Sequence, residues 1–292
     1  MAGPAPLSTA GAVVALRARA EAAAAAMPEL LLAAERLAAA VDPGAHGLRR
    51  AGSGDEFWQY RPATEGDPAQ AIDWRRSARS DAAFVRERER QTPQAAAIWV
   101  AGGPGMDWTG DPARPTKADR ARLIGLALGL ILLRGGERVA IGAADARAGR
   151  MQAETLARDL LAAGPADLPP PGTLRPQRRL VLIGDFLGDP APVERLVHEA
   201  AGIAAGGALL QVLDPIEEAF PFSGAVRFRQ PGGDAHQTRN AGALRDRYLA
   251  RLEARRGQLS RMAEAAGWHF GTHDTAAPPA QALLWLAKAL AP

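Results

Sequence analysis

Residues 180–183 read Leu-Val-Leu-Ile, apolar at every position. A strand with one wet face alternates apolar and polar side chains, whereas a continuously apolar strand needs cover on both faces. That requirement sets the architecture of most of the chain, because strands and helices alternate on either side of it. Residues 95–100 form a short apolar strand, and 102–105 a Gly-Gly-Pro-Gly loop. A helix follows from Thr116 to about residue 134, with Asp119 three residues after Thr116 in the arrangement of a capping box. Between residues 123 and 133 it is apolar nearly all round, so burial is expected, and Gly135-Gly136 ends it. Next come a strand at 138–143, a helix at 152–163, a Pro-rich loop at 165–176, the strand at 180–183, a helix at 193–205 and a strand at 208–213. Residues 226–229 are extended, and Gly232-Gly233-Asp234 marks a turn. A long helix spans 240–266 with Leu244, Tyr248, Leu252, Leu259 and Met262 along one side. A last strand (268–271) and a last helix (280–290) complete the chain. This order predicts the α/β class, a doubly wound, mostly parallel sheet with helices on both faces. No internal repeat is present.

The amino-terminal part differs. Residues 1–10 are rich in Ala, Pro, Ser and Thr and are expected to be disordered. Residues 11–41 are rich in Ala and Leu and read as helix, divided at Pro28, which a helix tolerates only in its first turn. Leu30, Leu31, Leu37 and Val41 line one apolar face, and Asp42-Pro43-Gly44 is a turn. Three regions result: a helical region at 1–44, a segment at 45–91, and the α/β domain at 92–292.

The middle segment concentrates charge. Between Arg49 and Arg90 stand nine arginines and eight acids, with Trp58, Tyr60 and Trp74 among them. Residues 84–90 read Phe-Val-Arg-Glu-Arg-Glu-Arg; a strand would send the arginines to one face and the glutamates to the other, a helix would stack Arg86 on Arg90, and the flanking β-type residues favour the strand. Asp73, between Ile72 and Trp74, is expected to be partly buried and to pair with Arg75, Arg76 or Arg79. The run Gly54-Asp55-Glu56-Phe57, then Arg61-Pro62, Gly66-Asp67, Ile72-Asp73-Trp74-Arg75, Ser77-Ala78-Arg79 and Val85-Arg86-Glu87 resembles the signature of the DUF58 family over about forty residues.

The resemblance implies a von Willebrand A-like domain after the signature and a non-catalytic adaptor role beside a MoxR-type AAA+ ATPase, in chaperone-like assembly or maturation of other proteins. It also implies a cation site. In that fold the loop after the first strand carries Asp-x-Ser-x-Ser, because a hard divalent cation takes carboxylate and hydroxyl oxygens. The five aligned positions here are Ala101, Gly102, Gly103, Pro104 and Gly105, so Ala101, Gly103 and Gly105 stand where the acid and both hydroxyls would be. Asp185 and Asp214, at the ends of the third and fourth strands, are residual acids at the same edge. The expectation is a degenerate loop, with no metal and no cofactor. Trp58, Tyr60, Arg61, Asp67, Trp74, Arg75 and Arg79 are the candidate partner-binding residues, since aromatics and Arg dominate interface hot spots.

Two other functions stay open: a nucleic-acid-binding protein that uses the arginines, and a hydrolase with an unrecognised site at the sheet edge, where polar groups would converge on Asp185 and Asp214. A nucleic-acid interface draws its affinity from excess base, but the Arg/acid segment has a net charge of only +1 and the chain +3. A hydrolase would need a nucleophile–base or acid–base set. The five histidines show no ligand spacing, and no Gly-x-Ser-x-Gly elbow is present. Cys is absent, which excludes thiol chemistry and disulfides and fits a reducing compartment. No apolar run reaches the ~20 residues of a membrane span, and the start of the chain lacks a signal-peptide layout. The location expected is cytoplasmic.

Overall fold

The structure is a computed structural model. It describes residues 28–41, 48–64, 67–78, 82–92, 94–204, 206–229 and 235–291, with residues 48–59, 61, 86–92 and 150 described by their backbone alone. The expectations for residues 1–27, for the turns at 42–44 and 232–234 and for Arg79 lie outside these residues.

In chain order the elements begin with α1 (residues 28–40), β1 (Leu48–Pro62), α2 (Trp74–Ser77) and β2 (Phe84–Thr92). The α/β part follows with β3 (Ala95–Val100), α3 (Lys117–Arg134), β4 (Arg138–Ile141), α4 (Ala153–Ala162), β5 (Arg178–Gly184), α5 (Pro190–Ala201) and β6 (Gly207–Leu213). It ends with α6 (Pro215–Ala219), β7 (Val226–Arg229), β8 (Ala235–Thr238), α7 (Arg245–Ala265), β9 (His269–Asp274) and α8 (Pro279–Ala289).

Five strands form one sheet in the order β4-β3-β5-β6-β9. Every pairing in it is parallel. Ile98, Val100, Val181, Ile183, Leu210 and Val212 pack with α1, α3, α4 and α8 in one core. Ala97, Leu180, Leu182 and Leu209 pack with α5, α7 and Trp268 in a second. The sheet is therefore covered on both faces, as the Leu-Val-Leu-Ile run required. This is the α/β class expected, and it is compatible with a von Willebrand A-like arrangement. In order of appearance the strands lie 2-1-3-4-5, so the winding reverses between β3 and β5. Loops leaving the carboxyl ends of two such strands diverge and open a crevice, where doubly wound sheets bind ligands.

Several boundaries moved for local reasons. α5 starts at Pro190 rather than 193 because Asp189 caps it, accepting from the Ala191 amide, and proline suits the first turn. Gly202 follows its last residue. α6 was not expected. It rests on a full capping box, with Asp214 as N-cap and Glu217 reaching back to the Asp214 amide. The charge-alternating run 84–90 is a strand, as expected, but its antiparallel partner is the long β1, whose register shifts between Gly52 and Phe57 and again between Phe57 and Gln59. The run 226–229 pairs with the unforeseen β8 as a hairpin. Phe220, Phe222, Phe228 and Tyr248 close a ring cluster below it, with Phe220–Tyr248 centroids 4.7 Å apart.

Candidate functional site

At the carboxyl ends of β3, β5 and β6 the chain assembles a buried charged cluster around one lysine. Lys117 is the first residue of α3, behind the N-cap Thr116, whose hydroxyl accepts from the Asp119 amide. Its side chain is 1 % exposed. Nζ lies 2.8 Å from Asp185 Oδ2, just beyond β5, and 2.7 Å from Glu217 Oε1 on α6. Burial pushes the Lys117 pKa down, but the two carboxylates more than offset this, and the ammonium is held above its ordinary value. The amine is therefore a permanent positive charge at the switch point of the sheet.

Asp214 ends β6 fully buried. Its carboxylate accepts from the Ile216 amide at 2.9 Å and the Gly110 amide at 3.1 Å, and it meets the Arg114 guanidinium at 3.4 Å. The Thr109 and Thr275 hydroxyls stand at 3.4 Å. The buried Gln211 joins the strand ends, donating to the Asp185 carbonyl at 2.7 Å and accepting from Arg256 Nε at 3.1 Å, while Arg256 pairs with Glu218. Of the two residual acids, Asp185 binds an internal cation and Asp214 caps a helix.

The loop at 101–105 is a tight turn. The Gly102 amide donates to the Ala166 carbonyl at 3.0 Å and the Gly103 amide to Asp167 Oδ1 at 2.9 Å, so both are taken by groups of the chain itself and neither is free for a bound anion. Glycine is required here: a Cβ on Gly102 would stand 2.2 Å from the Gly164 carbonyl oxygen, and one on Gly103 2.1 Å from Asp167 Oδ1. The residues do not fit the divalent cation that the resemblance implies. Positions 101, 103 and 105 offer no side-chain oxygen, the Asp167 carboxylate stands where a side chain at 103 would begin and is held by the Gly103 amide, and an ammonium occupies the acid beside position 105. Among the described residues no group of three or more His, Asp or Glu side chains could hold a metal ion.

Lys117, Glu217, Arg114 and Gln211 were not foreseen. One signal for Lys117 was available: the chain's Lys+Arg total of 35 includes only two lysines, Lys117 and Lys288. Where arginine serves almost every surface position, a lysine marks a place that needs a compact point charge rather than a planar fork.

The Arg/acid segment divides into an inner and an outer set. Tyr60 Oη donates to Asp73 Oδ2 at 3.1 Å. Asp73 is half-buried and N-caps α2, its Oδ1 accepting from the Arg76 amide at 3.0 Å. The Asp73 backbone amide donates to the Phe84 carbonyl at 2.8 Å, which holds α2 to β2. A cap directs a carboxylate oxygen at the following amides, and the Arg76 guanidinium lies over the Tyr60 ring, 4.3 Å from its centroid. Asp67 accepts from the Thr64 amide at 2.8 Å. Trp74 and Arg75 point outward, Trp74 at 63 % exposure. Trp58 and Arg61 lie in β1, where Arg61 pairs with Val85; their side chains, like all of Arg79, are outside the described residues. Asp73→Ala removes a cap and the acceptor of a half-buried hydroxyl and is expected to cost about 2 kcal/mol. Urea unfolding checks it, and an unchanged midpoint would mean the segment holds together without Asp73.

No helix among the described residues is long and apolar enough to cross a membrane. No curated protein matches the chain. Among solved structures the chain is similar to the conserved hypothetical protein BatB from Bacteroides thetaiotaomicron, at 12% identity and a TM-score of 0.36 over 67% of this chain and 97% of that one. It is also similar to an aerotolerance-related membrane protein from Bacteroides fragilis, at 15% identity and a TM-score of 0.36 over 67% of this chain and 98% of that one. Likenesses this loose say nothing about activity or partners. The family model described as "Protein of unknown function DUF58" matches residues 59–258, from within β1 to within α7. That span is well over half of the 292 residues and takes in the larger part of the Arg/acid segment and the lysine-centred edge, so the chain belongs to the DUF58 family.

Proposed function

We propose that the chain is a non-catalytic adaptor that works in the cytoplasm with a MoxR-type AAA+ ATPase, in chaperone-like assembly or maturation of other proteins. The ATPase comes from the family resemblance. The observation that carries the docking half is Trp74: a large aromatic left 63 % exposed, beside the exposed Arg75, on a turn anchored underneath by Asp73. Exposing a tryptophan on a rigid support costs solubility and gives the fold nothing, and Trp and Arg are the residues that carry interface hot spots. The absence of chemistry is supported by the sheet edge, where Asp185 and Glu217 face Lys117 and Asp214 faces amides and Arg114.

Titrating the MoxR-type ATPase of the same organism against wild type, Trp74→Ala and Arg75→Ala tests the reading. Each variant is expected to lose at least ~2 kcal/mol of binding, about thirty-fold, at an unchanged melting temperature. Full affinity in both stable variants would remove this face from the interface. Nucleotide or ester hydrolysis by the purified chain, abolished by Asp185→Ala, would overturn the non-catalytic role.

A further inference from the structure

The mismatch with the implied cation site has a specific form. The carboxylates that a metal would gather are gathered, and an amine stands among them. A Cβ on Gly105 would begin 3.3 Å from Asp185 Oδ2, the same oxygen that Lys117 Nζ meets at 2.8 Å. The ammonium therefore takes the Asp185 oxygen that a side chain at position 105 would reach, and it bridges the end of β5 to α6, so a cation held there by Asp185 would compete with it for that oxygen. Glu217 Oε1 closes it from the far side, and Asp167 is near enough to feel both Asp185 and Lys117. We infer that Lys117 is a built-in cation: its ammonium replaces the divalent ion of this fold position, fixing the order of the sheet edge without metal, and removing it uncovers a latent carboxylate site for Mg²⁺, Mn²⁺ or Ca²⁺.

Three physical points support this. An ammonium presents charge as a compact centre with three N–H donors, the nearest that a side chain comes to a small hard ion. It is covalently tethered, so its occupancy does not depend on metal concentration. Its partners are also what a hard cation takes. Mg²⁺ binds through one or two carboxylates and keeps several waters, and Asp185 Oδ2 with Glu217 Oε1 supplies two once the lysine stem is gone. The inference is independent of the docking face, since it concerns the fold's own charge.

A structural salt bridge with no further meaning makes a different prediction. It would lose stability when Lys117 is changed and would not regain it with metal. The experiment compares wild type, Lys117→Ser, Lys117→Met and Lys117→Ser/Asp185→Asn by thermal melting in EDTA and in millimolar Mg²⁺, Mn²⁺ or Ca²⁺. Lys117→Ser opens the space, and Lys117→Met fills it with an uncharged stem. Wild type is expected to melt alike in EDTA and in metal. Lys117→Ser should melt lower in EDTA and recover by roughly 3–6 °C at metal ten times its dissociation constant. Lys117→Met and the double variant should melt low in both. Loss of the free Mn²⁺ electron paramagnetic resonance signal should give one ion per Lys117→Ser chain and none per wild-type chain. If Lys117→Ser does not accumulate folded, it is refolded from urea with and without Mn²⁺, and recovery with Mn²⁺ alone supports the inference. No metal response in Lys117→Ser, refolding that Mn²⁺ does not improve, or an upward shift of wild type with metal would each overturn it.

Discussion

Asp214→Ala is expected to destabilise the fold by about 3–5 kcal/mol, the cost of stranding the partners of a buried charge. The carboxylate is fully buried, and its loss leaves the Ile216 and Gly110 amides without their acceptor and takes from the partly exposed Arg114 guanidinium one of its two carboxylate partners, Asp111 being the other. It also removes the N-cap of α6, the element that carries Glu217 to Lys117. The pH dependence has a definite sign. Burial pushes the Asp214 pKa up, but the hydrogen bonds from the Ile216 and Gly110 amides, the Arg114 charge and the Thr275 hydroxyl outweigh it, so the folded value lies below the ordinary 3.8. A carboxyl depressed on folding contributes stability above its unfolded pKa and loses it as pH falls through the folded one. Asp214→Asn keeps one acceptor oxygen, so it should cost less at neutral pH and flatten the acid limb of the stability curve. Urea unfolding of both variants from pH 7 to pH 3 checks this. An alanine variant within ~0.5 kcal/mol of wild type, the range of an ordinary surface change, would make Asp214 dispensable and return it to the candidates for chemistry.

The parallel sheet was legible because its signals are local. The Leu-Val-Leu-Ile run and the all-round apolar stretch of α3 each follow from a few adjacent residues. The lysine-centred edge was legible only in half. Asp185 and Asp214 stood out as acids at strand ends, where ligands gather in such sheets. Their partners did not, since Lys117 is 68 positions from Asp185 and 100 from Glu217, and only the winding of the sheet joins them. The role of Asp214 was nearer to hand: Asp214-Pro215-Ile216-Glu217 spells an N-cap, a proline in the first turn and an acid at the third position. In the Arg/acid segment the composition pointed to arginine–carboxylate pairing. Asp73 also gives an oxygen to the Arg76 backbone amide, and the Arg76 guanidinium lies on a ring, because helix-start geometry and aromatic neighbours help decide where these groups go, and neither appears in a count of charges.

Glu137→Gln is expected to stabilise the protein above pH 7, by up to about 3 kcal/mol, taken from the pKa shift at ~1.36 kcal/mol per unit. Glu137 stands between the Gly135-Gly136 turn and the start of β4 and is buried, and neither of its carboxyl oxygens has a hydrogen-bond partner among the described residues. Burial raises its pKa from 4.5 to about 7, with only the Arg179 charge opposing. The folded chain therefore binds more protons than the unfolded one between these two values, and stability falls as pH rises through that window. His273 acts in the other direction. Burial, aided by the nearby Arg120 charge, lowers its pKa from 6.5 to about 4, so its contribution is lost as pH falls from 6.5 to 4. The two slopes oppose each other over the shared range, and a net loss from Glu137 emerges at its upper end. Glutamine reproduces the shape of the protonated acid without its titration. The variant should match wild type below about pH 4.5, pull ahead as pH rises and keep a constant lead above the folded pKa. Urea unfolding at pH 4.5, 6 and 8 measures this. Equal stability of variant and wild type at pH 8 would show that the Glu137 carboxylate is accommodated in its charged form, with Arg179 as its counter-ion.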